Sequence, residues 1–124
     1  MDAVAIVRAS YEAYVAKDRA AIERLIARNF RFTSPLDNRI DRATYFERCW
    51  PNSKHIAEFE FIHLFEAENR VFANYIAKND DGHCFQNAEI LQVHNGQITA
   101  VEVYFGWSVP HEAPEGQFVD KSSN

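Results

Sequence analysis

Along this chain the spacing of apolar residues changes once, near its middle, and that change limits what the chain can fold into. Val4, Val7, Tyr11, Tyr14 and Val15 fall three and four apart between Asp2 and Lys17, which places them on one face of a helix. Asp18 can then cap a second helix that runs to Arg28 and buries Ala21, Ile22, Leu25 and Ile26. The two helices form a hairpin. Phe30 and Phe32 alternate in a short strand, Asn29 to Thr33, which ends at Ser34-Pro35 because proline lacks the ladder donor. A loop follows from Leu36 to Ile40. Asp41 opens a third helix, reaching Trp50 with Ala43, Phe46 and Trp50 on one side, and Pro51 stops it.

From His55 onward the period is two. His55 to Glu68, Arg70 to Asn79, His83 to His94 and Gln97 to Trp107 all alternate. Between them stand Asn69, Asp80-Asp81-Gly82 and Asn95-Gly96, which are hairpin turn residues. Helices gathered first and a meander second predict an α+β domain, with a curved antiparallel sheet wrapped over the helix hairpin and the third helix. At 124 residues there is room for one such domain. Ser108 to Asn124, with Pro110, Pro114 and Gly116 and few apolar residues, is expected to be a tail, loosely ordered or laid over a neighbour.

Turn chemistry predicts which side chains meet. A two-residue Asp81-Gly82 turn pairs Ile76 with Asn87, Asn74 with Glu89 and Phe72 with Leu91. Across the next turn a two-residue Asn95-Gly96 loop sets Glu89 opposite Glu102, whereas a three-residue His94-Asn95-Gly96 loop with a glycine bulge sets it opposite Val101. The second avoids facing carboxylates and is preferred. It gathers Val101, Val103, Phe105 and Trp107 with Phe85, Leu91 and Val93 on the face toward the helices. Tyr75, Ala88, Ile90, Ala100 and Tyr104 then lie outside with Glu102 and Gln92, an apolar surface that a homodimer through the sheet would cover.

Charge and motif content exclude several functions. Eighteen acidic and 13 basic residues are scattered through the chain for a net charge of −5, so no basic stripe exists for nucleic acid or anionic lipid. No apolar run approaches the roughly 20 residues that span a bilayer. The opening MDAVAIVRASYEAY lacks a basic start before an apolar run, so no secretory signal is read and the cytoplasm is expected. Cys49 and Cys84 are expected as free thiols. His55, His63, His83, His94 and His111 show no zinc-ligand spacing, and there is no phosphate loop or serine elbow. Neither a metal nor a cofactor is predicted.

The order of elements, together with Tyr11-Glu12-Ala13-Tyr14-Val15-Ala16-Lys17-Asp18, Phe30-Arg31-Phe32-Thr33-Ser34-Pro35, and Asn95-Gly96-Gln97-Ile98 leading into Val101-Glu102-Val103-Tyr104-Phe105, resembles a known superfamily. It is the one containing nuclear transport factor 2, ketosteroid isomerase, SnoaL-like polyketide cyclases and scytalone dehydratase. The resemblance covers residues 1–107 and implies a cone-shaped fold enclosing a pocket. It is specific for fold, since members include several kinds of enzyme and proteins without catalysis. In the isomerases an Asp precedes the proline after the first strand, and here that position is Ser34, which cannot act as that base. Their protonated acid corresponds to Glu89, and the tyrosine of their first helix falls nearest Ser10 or Tyr11. The epoxide hydrolase pattern wants an Asp-Arg-Asp set in the pocket, whereas no arginine lies clearly on an inward strand face. SnoaL-like cyclases resemble the chain in size and layout and use a pocket carboxylate as acid or base.

Read by residue, Glu89 is the leading candidate, because a carboxylate among Phe and Leu is desolvated and its pKa rises. Asp37 lies on the loop after Pro35 where such a cone opens, as a base or as a turn former. His63, in phase with Phe59, Phe61 and Phe65, is the alternative base. Tyr14, Asn74, Asn87, Phe61, Phe105 and Trp107 are expected to contact the ligand, the first three orienting its oxygen. The expected activity is that of a cofactor-independent isomerase, lyase or cyclase acting on a small apolar carbonyl compound. A ligand-binding or dimerising module without turnover is the alternative.

Overall fold

The computed structural model describes residues 2–120. Helix α1 (Ala3–Ala16) is capped by the Asp2 carboxylate, which accepts the Ala5 N–H at 2.8 Å, and Asp18 caps α2 (Arg19–Leu25) in the same way. Strand β1 (Ile26–Ser34) and strand β2 (Asp37–Asp41) form a hairpin, then come α3 (Arg42–Arg48), capped by Asp41, and a 3₁₀ turn (Trp50–His55). The meander consists of β3 (Ile56–Ala67), β4 (Arg70–Asn79), β5 (Cys84–His94) and β6 (Gln97–Val109). One curved, unclosed sheet results, ordered β2-β1-β6-β5-β4-β3.

Two elements differ from expectation. Residues 37–41, expected as loop up to Ile40 with Asp41 opening the third helix, pair with β1 instead, with Phe32 opposite Ile40. The second helix stops at Leu25 because Ile26 joins the sheet opposite Ile98, and β1 runs parallel to β6, so the sheet is mixed rather than wholly antiparallel. Backbone pairing with a distant strand outweighs local helical periodicity there. The helices pack on the concave face, where Val7, Ile22, Phe30, Val71 and Ile98 are fully buried.

The register is set by turns and bulges. The Asp80-Asp81-Gly82 turn is one residue longer than predicted, with Gly82 at φ +89° and Asn79 N–H donating to the His83 carbonyl at 2.8 Å. Every β4–β5 pair therefore shifts by one: Glu89 faces Ala73, Asn87 faces Tyr75, and Asn74 faces Ala88. Asn74 thus turns to the outer face and Tyr75 to the inner one, the reverse of their expected sides. Between β5 and β6 the loop is the two-residue Asn95-Gly96 turn, both residues at positive φ, and not the preferred three-residue one. A bulge at Thr99 then moves the pairing on, so Glu89 stands opposite Val103 rather than Val101 or Glu102.

Candidate active site

Inside the cone lies a cavity of about 280 Å³, its wall mostly apolar from Ile22, Ile26, Phe30, Leu91, Ile98 and Val101. This is near the lower end of the roughly 300–1,000 Å³ typical of ligand pockets, so it suits a small molecule. The Glu89 carboxyl lines it from the middle of β5. The Tyr75 hydroxyl, one strand away, donates to Glu89 Oε2. Tyr11, from α1, faces the same carboxyl without completing a hydrogen bond of ordinary geometry, and its hydroxyl is buried. Burial raises the Glu89 pKa above the ordinary carboxylate range, and the opposing pull of Tyr75 and Tyr11 does not cancel it.

A second polar pair stands nearby. The Tyr14 hydroxyl from α1 and the Tyr45 hydroxyl from α3 are hydrogen-bonded to each other, and both feel the Glu89 charge. Burial pushes the pKa of Tyr11, Tyr14, Tyr45 and Tyr75 upward, so all four are neutral donors at physiological pH. In a pair of hydroxyls only one hydrogen is consumed by the mutual bond, which leaves the other for an acceptor in the cavity. Trp50 packs edge-on against the Tyr14 ring at 4.9 Å and steadies it. Cys49 also lines the cavity, with burial pushing its thiol up to about 11.

The rim is built differently. Ser34 Oγ accepts the Leu36 N–H at 3.0 Å and donates to Asp37 Oδ2 at 2.8 Å, while Arg48 Nε donates to Asp37 Oδ1 at 2.8 Å. Both Asp37 oxygens are thereby engaged, and Ser34 serves as the carboxylate's partner. Leu36, 74% exposed, marks this as the open end.

Glu89, Asp37, Tyr14, Asn87 and Phe105 all line the cavity, as expected. Four other candidates do not. In β3 a bulge at Ile62 follows the Phe61–Tyr75 pair, so His63 comes opposite Asn74 on the exposed outer face and cannot serve as base. Asn74 is on that same face, donating to the Asn87 carbonyl at 3.1 Å and accepting from Gln86 at 3.3 Å. Phe61 lies behind the wall, edge-on to Tyr11 at 5.0 Å. A bulge at Gly106 pairs Trp107 with Gln86 and turns it out of the inward series.

Tyr45, Tyr75 and Arg48 were not expected at the site, and Tyr11 entered only through the family resemblance. A signal existed for two of them: Tyr45 and Arg48 are three apart on α3 and so share a helix face. Among the described residues no cluster of three His, Cys, Asp or Glu is placed to hold a metal ion, and no helix is long and apolar enough to cross a membrane.

The SnoaL-like domain family matches residues 7–101, from α1 into β6. The chain belongs to that family. The fold of this SnoaL-like domain is the one shared by nuclear-transport-factor-2-like and ketosteroid-isomerase-like proteins. A crystal structure of a protein from Kribbella flavida superposes with a TM-score of 0.74 at 24% identity, covering 84% of this chain and 86% of the other. A second Kribbella flavida protein, a proposed ketosteroid isomerase, has a TM-score of 0.71 at 17% identity over 95% and 90%. An epoxide hydrolase of the LEH-like kind from M. tuberculosis has a TM-score of 0.70 at 15% identity over 83% and 81%. At these identities the likeness is one of fold. No curated protein matches the sequence.

Proposed function

We propose that this SnoaL-like domain binds a small, largely apolar carbonyl compound and acts on it by general acid–base chemistry without a cofactor, as an isomerase, lyase or cyclase. The observation that carries this reading is Glu89: a carboxyl of raised pKa in an apolar cavity, met only by neutral hydroxyls. Its raised pKa makes the Glu89 carboxylate a stronger base than an ordinary one, which suits it to proton transfer. Glu89 takes a proton from the carbon beside the carbonyl, and the free hydrogen of the Tyr14–Tyr45 pair is donated to the oxygen as it becomes an enolate. Return of that proton to a different carbon gives isomerisation, whereas departure of a β-substituent gives elimination. Tyr75 orients the carboxyl. Asp37, held by Arg48 and Ser34, shapes the rim.

Exchange of the α-hydrogens of cyclohexanone in deuterated buffer, followed by NMR, tests the proton transfer without knowledge of the substrate. The protein is expected to accelerate exchange, and Glu89→Gln to lower that acceleration by about 100-fold or more. Exchange no faster than in buffer, with cyclohexanone still bound, favours a binding module; exchange indifferent to Glu89→Gln removes the mechanism. We also propose that two copies pair through the outer face of the sheet, where Phe65 and Tyr104 are exposed. Equilibrium sedimentation of the protein should give twice the monomer mass, and a monomer at micromolar concentration would refute the pairing.

A further inference from the structure

The sheet is not equally long on all sides. β1 ends at Ser34, just beyond its pairing of Thr33 with Glu102, but β6 continues to Val109, opposite Cys84 at the start of β5. The β5–β6 ribbon, flanked by β4 as far as the Lys78–Cys84 pair, therefore extends past the end of β1, and the segment after β6 lies against it. An open cleft of about 850 Å³ lies there, between Phe85, Asn87 and Phe105 of the ribbon and His111, Phe118 and Val119 of the segment. Phe85, Asn87 and Phe105 also line the interior cavity. No more than one layer of side chains separates the two volumes.

Glycine 106 makes this arrangement possible. A Cβ at that position would lie 1.9 Å from the Gln86 carbonyl oxygen, so no other residue permits the bulge, and its N–H donates to Asn87 Oδ1 at 3.0 Å. Beyond the bulge the Trp107 ring meets His111, with centroids 6.1 Å apart. The Ala113 N–H donates to His111 Nδ1 at 2.9 Å, and Ala113 is itself buried and anchors the segment. At the cavity's exit Phe105 and Trp107 are each 54% exposed and Phe118 is 84% exposed. Large aromatic surfaces grouped beside a small cavity are what an apolar ligand leaving that cavity would cover.

We infer that the ligand site continues past the rim into this cleft, where Trp107 and Phe118 receive an aromatic or other apolar extension of the ligand. The substrate class is then an elongated carbonyl compound, its oxygen inside and its apolar end under the C-terminal segment. This rests on the reading of the cavity as a carbonyl site.

Calorimetric titration with acetophenone and with 4-acetylbiphenyl tests it, the second differing by one added ring. The longer ketone is expected to bind at least about tenfold more tightly, a difference of ~1.4 kcal/mol. Trp107→Ala and Phe118→Ala should each erase most of that ratio; Phe118 is so exposed that its loss leaves the fold intact. If both ketones bind and the ratio does not change in either variant, the extension is overturned while the cavity reading stands. If neither ketone binds, both fall. If the variants lose self-association in sedimentation while the ratio holds, the cleft belongs to a second copy and the extension is likewise overturned.

Discussion

Two carboxyls line one cavity under opposite conditions. At the rim, Asp37 meets a cation and a hydroxyl, with Arg48 on one oxygen and Ser34 on the other. In the interior, Glu89 meets tyrosine hydroxyls alone, and desolvation raises its pKa. A carboxylate with a matching cation is part of the framework; one given only neutral donors is left able to change its charge. The difference separates a structural role from a chemical one more clearly than residue type does.

Removing the cation at the rim should break the contrast with the larger effect on stability. Arg48→Ala leaves the largely buried Asp37 carboxylate without its ion-pair partner. Because the guanidinium is half exposed, the loss should be about 1–2 kcal/mol rather than the larger figure for a fully buried pair. Chemical denaturation at neutral pH measures it, and a change near zero would show that the rim does not depend on the pair.

A smaller effect, with a definite sign, sharpens the interior side. The folded-state pKa of Glu89 is raised, so its contribution to stability is fully present below the ordinary Glu pKa and is lost as pH rises through the raised value. Glu89→Gln cannot ionise and should be free of that loss. Melting temperatures across pH 4 to 8 are therefore expected to show the variant gaining on the native protein as pH rises. A difference that stays constant, or moves in favour of the native protein as pH rises, would mean that Glu89 is not desolvated.

Much of the site was legible before the structure. Glu89 follows from its phase with Phe85, Leu91 and Val93 in β5, a parity within one strand that does not depend on the two neighbouring registers, both of which differ from expectation. Tyr14 follows from the apolar face of α1. His63 and Asn74 did not hold, and Trp107 lines the cleft past the rim rather than the cavity; in each case one residue changed where the side chain lies: the bulge at Ile62, the longer Asp80-Asp81-Gly82 turn, and the bulge at Gly106. With a period of two, a single inserted residue exchanges the faces of everything beyond it. Arg48 reaches the rim from α3 and not from an inward strand face, so strand parity does not reveal it.

By itself, the sequence determined the class of fold, the positions of the three helices and the four long strands, and the inward carboxyl. These rest on local periodicity, capping carboxylates and turn residues, each legible within a short window. Only the tertiary structure decided that β1 lies parallel to β6, that residues 37–41 form a strand, and which tyrosines surround Glu89. Those outcomes depend on where two distant backbones meet and where one carries an extra residue, and the energy that chooses among registers comes from packing across the whole cone.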